Sequence, residues 1–179
     1  KGIAKASKRM GKTAAEGLVC IYENKNKFTM IEINSETDFV AKNKEFINFA
    51  EEVSQLSLVG VGKMENILKS KMKNKKSVED NLVDLISKIG EKITLRRSVY
   101  FGNDKFLNFS YTHSPIKQNI GKLGVLLSID TTKEKKDIIN LGKQLAMQVA
   151  SSSPLAIEKE GLDPNILKKE KEIIIEELK

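Results

Sequence analysis

The chain has 179 residues, with 31 Lys+Arg against 24 Asp+Glu for a net charge of +7, and 40% of its residues are hydrophobic. That apolar share is enough to fill a core and excludes a wholly disordered chain. No apolar run approaches the roughly 18–20 residues that span a bilayer, no signal-peptide pattern opens the sequence, and one cysteine with one histidine supports neither an internal disulfide nor a zinc site.

The first ten residues, Lys1–Met10, set Ile3, Ala4 and Ala6 among lysines and read as the end of a linker helix. Gly17–Tyr22 and Phe28–Ile33 are apolar and β-branched around the Asn-rich turn Glu23–Lys27, which predicts a hairpin. After Asn34 the period changes. Phe39, Phe46 and Val53 recur every seventh residue, so one helix is expected, capped by Asn34 or Ser35, with Asp38 in its first turn, fading near Leu58. A weak helix follows at Met64–Lys71. Ser77 caps Val78–Ile89, with Asp80 at the third helical position and a stripe of Leu82, Leu85, Ile86 and Ile89; Gly90 stands where a left-handed cap belongs.

A second hairpin is expected from Lys92–Phe101, the turn Gly102–Asp104 and the return Lys105–Tyr111. Ile120–Ile129 reads as one strand, and Lys133–Ser151 as a helix with Ile138, Leu141, Leu145 and Val149 on one face. Asp163 and Pro164 open a last helix carrying Ile166, Ile173, Ile174 and Leu178. The pattern is α+β: two small antiparallel-sheet subdomains packed with helices, rather than alternating β-α-β. The boundaries read as a linker end at 1–10, a first core subdomain at 11–105 and a second at 106–179, the second expected to be incomplete.

Chemistry is sparse. Neither a Walker pattern nor Gly-x-Gly-x-x-Gly is present, and Gly121–Gly124 is too short and runs into a strand. Cys20 lies inside an apolar strand, where an inert thiol is the better reading. Glu36 and Asp38, two apart, do not face each other on a helix. The basic balance comes from 28 Lys and only 3 Arg, with 13 Asn, 19 Ile and no Trp. Nucleic-acid readers lean on arginine and stacking aromatics, so the lysines read first as solvated surface. No enzyme, cofactor or metal is expected, and a protein that binds a protein fits best. A basic RNA- or ribosome-associated module is the alternative, and a hydrolase built on Cys20 and His113 the remaining one.

The segment Asn34-Ser-Glu-Thr-Asp-Phe-Val-Ala-Lys-Asn43 puts polar capping residues directly against Phe39-Val40. On pattern alone it reads first as a capped helix whose Phe39 tucks into its own core, and the alternative is that one of Phe39 and Val40 faces the core while the other projects beside Asp38. This stretch closely resembles the signature of elongation factor Ts. Other blocks agree in order: Lys1–Ala6, Ala14–Val19, Ile89–Ile93 with Arg96-Arg97, Tyr111–His113, Ile120–Leu127 and Met147–Ala150 ahead of Pro154. The resemblance implies a nucleotide exchange factor for the GTPase elongation factor Tu, with no cofactor, no direct nucleic-acid contact and no membrane. It implies a partner surface of Thr37, Asp38, Phe39 and Val40, supported by Ile89 and Gly90, with His113 as a second wedge. Phe39 would be the apolar wedge between partner helices, and Asp38 would cap or repel polar groups there.

The resemblance places such a protein in the bacterial cytoplasm, or otherwise in the mitochondrial matrix or plastid, and leaves a homodimer open. Three departures bear on it. The family begins with a small helical domain, and this chain starts in the linker after it. Met147-Gln148-Val149-Ala150 stands where the family has Met-His-Ile-Ala, so no histidine role transfers to Gln148. The family continues beyond the last helix into a helical protrusion and a closing strand. A piece of a longer protein with weaker binding is therefore expected.

Overall fold

The computed structural model describes residues 12–178, so the expected linker helix at Lys1–Met10 lies outside the described residues. Strands β1 (Glu16–Asn24) and β2 (Lys27–Ser35) form the first hairpin, with Asn24 opposite Lys27. Two residues close it. Lys25 turns the chain with φ 55°, and Asn26 follows.

The helices come next: α1 (Asp38–Ala41), α2 (Lys44–Val59), α3 (Met64–Lys69) and α4 (Val78–Ile89). The single helix expected after Asn34 is thus two. Lys42 breaks it, and Asn43 restarts it by accepting the N–H groups of Glu45 and Phe46 at 2.8 and 3.3 Å. Asn34 and Ser35 belong to β2 instead. The break takes Phe39 off the inward face that Phe46 and Val53 occupy, both of which are fully buried. Helix α4 is as expected, down to a capping box between Ser77 and Asp80 and a left-handed Gly90 at φ 81°.

Strand β3 (Ile93–Phe101) does not pair with the strand that follows it. It lies antiparallel on β2, giving a four-stranded sheet ordered β3-β2-β1-β5, where β5 is Ile120–Gly121. Strand β4 (Phe106–His113) pairs instead with β6 (Leu123–Asp130) in a separate two-stranded sheet. The expected second hairpin is therefore absent. The expected strand Ile120–Ile129 splits at Lys122, its first two residues joining one sheet and the rest the other. These strands and the helices make an α+β fold.

Side-chain hydrogen bonds explain why β4 leaves β3. The Asn26 amide donates to the Phe106 carbonyl at 2.7 Å, and its Oδ1 accepts the Asn108 N–H at 3.0 Å. The buried Asn108 amide answers by donating to the Asn26 carbonyl at 2.6 Å. The tip of the first hairpin thus occupies backbone groups at the start of β4.

The β2–β3 ladder carries a bulge. Arg97 faces Glu32 and Leu95 faces Ile33, so Arg96 is the extra residue. Two consecutive arginines, which a regular strand would point to opposite faces, thereby reach one carboxylate: Arg96 Nη1 at 2.8 Å and Arg97 Nε at 2.6 Å from Glu32. Partial burial pulls the Glu32 carboxyl upward, but hydrogen bonds from Arg96, Arg97 and Asn34 outweigh that and hold it below its ordinary value.

The main core lies between the four-stranded sheet and α2–α4, around Cys20, Ile31, Ile33, Phe46, Val53, Ile67 and Val78. Helix α5 (Lys135–Ser152) packs on β4 and β6. Its buried positions are Gly142 and Ala146, the backbone at Gly142 lying so close to the Phe109 ring that a Cβ there would collide with it; Leu141 and Leu145 of the expected stripe stay exposed, as does Met147. Helix α6 (Pro164–Glu177) opens as expected, Asp163 accepting the Asn165 N–H at 2.9 Å, but Ile166, Ile173, Ile174 and Leu178 are exposed.

Replacing Asn26 with Ala strands polar groups at the junction of the two sheets. The expected loss is about 2 kcal/mol of stability, with faster amide exchange in β4 than in β3. An unchanged urea midpoint would show that these bonds do not join the sheets.

Candidate functional site

The end of β2 leads into a turn with little freedom. Ser35 Oγ donates to the Thr37 carbonyl at 2.9 Å. Glu91, the residue after the left-handed Gly90, accepts both the Thr37 N–H at 3.0 Å and the Thr37 hydroxyl at 2.8 Å. Glu36 accepts the Lys92 N–H at 2.6 Å and pairs with Lys12 at 3.0 Å. The α4–β3 connection therefore grips Glu36 and Thr37, and the αL conformation of Gly90 turns the chain ahead of Glu91.

Helix α1 stands on that fixed base. Thr37 occupies its N-cap position but gives no side-chain cap; its hydroxyl is turned to donate to Glu91 instead. Val40 and Ala41 turn into the main core, at 4% and 2% exposure, while Phe39 between them and Asp38 is 78% exposed. Val40, expected at the partner surface, instead anchors the turn from below. An exposed phenylalanine over two buried residues is unusual for a four-residue helix, because apolar surface of that size is normally withdrawn from water.

Asp38 lies 3.2 Å from the Lys42 ammonium, and that hydrogen bond and charge, with a smaller contribution from Lys122, hold its carboxyl below the usual range. Lys122 itself pairs with Glu16 at 2.7 Å. It sits between β5 and β6, and through it the second sheet approaches this end of the first. His113, at the end of β4, is opposite Leu123. Its carbonyl lies 3.0 Å from where a Cβ on Gly121 would stand. The exposed His113 ring meets the Tyr111 hydroxyl through Nδ1 at 3.0 Å.

The structure therefore ties Thr37 directly to the Ile89–Glu91 connection and brings Asp38 within electrostatic reach of the segment beside His113. Ile89 packs partly buried against the core, while a Cβ on Gly90 would meet nothing within 4 Å. Sequence reasoning missed Glu91, Lys42 and Lys122. Lys42 offered a signal in its i,i+4 spacing from Asp38; Glu91 stands directly after a predicted helix-terminating glycine, but its partner Thr37 lies 54 residues away.

The Cys20 thiol is fully buried, and desolvation, with the charge of Glu51 adding to it, pushes its pKa up to about 12. A thiol so held is a poor nucleophile, which removes the basis of the hydrolase reading. Among the described residues no group of three or more His, Cys, Asp or Glu is placed to hold a metal ion, and no helix is long and apolar enough to cross a membrane.

This end of the molecule presents a fixed backbone, one projecting aromatic and flanking charges. Residues 36–179 match the family model described as elongation factor TS. The whole chain is 39% identical over 179 residues to the elongation factor Ts of Nitrobacter hamburgensis, covering 58% of that protein. It is 40% identical over 178 residues to that of Rhizobium meliloti, covering 99% of this chain and 58% of the relative. For Gluconobacter oxydans the identity is 36% over 177 residues, with 99% and 59% covered. The chain belongs to the elongation factor Ts family, and it spans somewhat under two thirds of the length of these relatives.

The placement of Phe39 and Val40 has a thermodynamic consequence. Phe39→Ala should leave the urea midpoint within about 0.5 kcal/mol of the parent, and Val40→Ala should cost about 1–2 kcal/mol. Equal losses would contradict a Phe39 that stands clear of the core.

Proposed function

We propose that this chain binds elongation factor Tu and promotes GDP release from it, supporting translation elongation through protein contact rather than catalysis. The observation that carries the reading is Phe39, 78% exposed on a turn that Glu91 locks and Val40 anchors. An aromatic whose position is fixed before binding loses little conformational freedom when it enters a pocket.

In this reading Phe39 enters between helices of the partner's nucleotide-binding domain and displaces groups that organise magnesium and phosphate. Thr37 and Glu91 set the height of the wedge. Asp38, ionised and paired with Lys42, faces polar groups of the partner, and Ile89-Gly90 backs the same surface. His113 presents a second contact on β4.

No group on this chain has to react. Linkage makes the effect reciprocal: GDP weakens this protein's hold on the partner by the factor by which the protein weakens GDP binding. A coupling of about 4 kcal/mol corresponds to roughly a thousandfold in nucleotide affinity.

The test is release of a fluorescent GDP analogue from elongation factor Tu. The parent should accelerate release, and Phe39→Ala should lose about tenfold or more of that acceleration while folding normally. Full acceleration by Phe39→Ala would overturn the wedge. Binding by the parent without acceleration would overturn the exchange reading, and an absence of binding would return weight to the RNA-associated alternative.

A further inference from the structure

A cleft of about 550 Å³ opens between the first hairpin, β4 and α5, and none of the residues assigned to partner contact line it. Its walls carry Lys25, Lys135 and Lys143 against one acid, Glu23, a surplus of two positive charges. Lys135 is the unusual member. Its ammonium sits 4.8 Å from the centre of the Phe28 ring and 5.3 Å from that of Phe109, and both rings are buried. No carboxylate among the described residues comes within 4 Å of it. Burial lowers its pKa and outweighs the raising effect of the Glu23 charge, and the Glu23 carboxylate already accepts the Ser110 hydroxyl at 3.3 Å.

Lys135 is also the first residue of α5, where the helix dipole opposes a cation. The preceding Glu134 gives no side-chain cap to the helix N–H groups, its carboxylate being paired with Lys136 at 2.7 Å. A partly desolvated cation with no carboxylate in ion-pair contact, at the positive end of a helix whose first turn carries only Asp137 as an acid, is an unfavourable arrangement in isolation. The ring faces of Phe28 and Phe109 offset only part of it. An anion in the cleft would satisfy the ammonium.

We propose that this cleft binds a phosphate group, with Lys135 as its central ligand and Lys143 and Lys25 flanking. A phosphate monoester carries about −1.5 to −2 charges near neutral pH, which matches the surplus on the walls, whereas a lone carboxylate would leave one lysine unbalanced. Lysine is suited to phosphate as a compact point charge. The volume admits a phosphate ester of nucleotide size. The same phosphate oxygens are offered by a free phosphate ester and by a nucleic-acid backbone, in which each phosphodiester carries one charge and two successive phosphates would match the surplus.

The test follows the side-chain Cε resonances of the lysines in the intact chain while inorganic phosphate is added. Lys135 should shift saturably, and Lys143→Met should weaken the midpoint about fivefold or more, with Lys105→Met, which does not line the cleft, as the unaffected control. Lys135→Met, which keeps the packing over the two rings, should remove saturable binding altogether. Shifts at Lys135 no larger than at Lys105, or a midpoint indifferent to Lys143→Met, would overturn the proposal. A short single-stranded oligonucleotide that displaces phosphate from Lys135 would identify the backbone as the source. Failure of the oligonucleotide to displace it would leave small phosphate esters. A negative result here leaves the exchange reading untouched, since Phe39 plays no part in it.

Discussion

The two-point grip of Glu91 on Thr37 is the interaction on which the presentation of the site depends. It consumes the backbone N–H and the hydroxyl of the residue that would otherwise cap α1, and it fixes where α1 begins relative to the α4–β3 connection. With that start fixed and Val40 held in the core, the direction of Phe39 follows from helix geometry. Adjacent residues on a helix point about 100° apart, so burying Val40 and Ala41 turns Phe39 outward. The exposed aromatic is thus a consequence of local constraints that stabilise the fold, and it needs no partner to hold it in place.

A second constraint sets the surroundings. The Asn26–Asn108 hydrogen bonds draw the start of β4 onto the tip of the first hairpin, which frees β3 to pair with β2 and leaves β4 to find β6. Because the chain returns through β5 to the edge of β1 before entering β6, Lys122 lands beside Glu16 and within reach of Asp38, and His113 arrives next to the same crossing. Segments distant in sequence share one end of the molecule for this reason.

What was legible in the sequence was local. The first hairpin, the Ser77–Asp80 capping box and the left-handed Gly90 each rest on contacts a few residues apart, and each was read correctly. The Asn43 cap was equally local, but the seven-residue spacing of Phe39, Phe46 and Val53 ran across it and suggested one continuous helix. Strand partners were not legible, since β3 and β4 follow one another through a plausible turn and only the distant Asn26 separates them. Along α5 the pattern pointed to leucines, whereas close approach of the backbone to Phe109 selects Gly142. For the site, the motif located the turn, but its pattern alone favoured Phe39 in the core and did not say which of Phe39 and Val40 projects. The role of Glu91 was hidden because its partner lies 54 residues away.

The central claim is that Phe39 is held out in advance and is itself the group that enters the partner. Site-specific replacement of Phe39 by 4-fluorophenylalanine gives one fluorine resonance that reports its surroundings directly. The account predicts a solvent-exposed signal in the free chain that shifts and loses solvent contact when elongation factor Tu is added, and that returns to its free position when excess GDP releases the complex. Binding of elongation factor Tu that leaves the fluorine signal unshifted and solvent-exposed would contradict it.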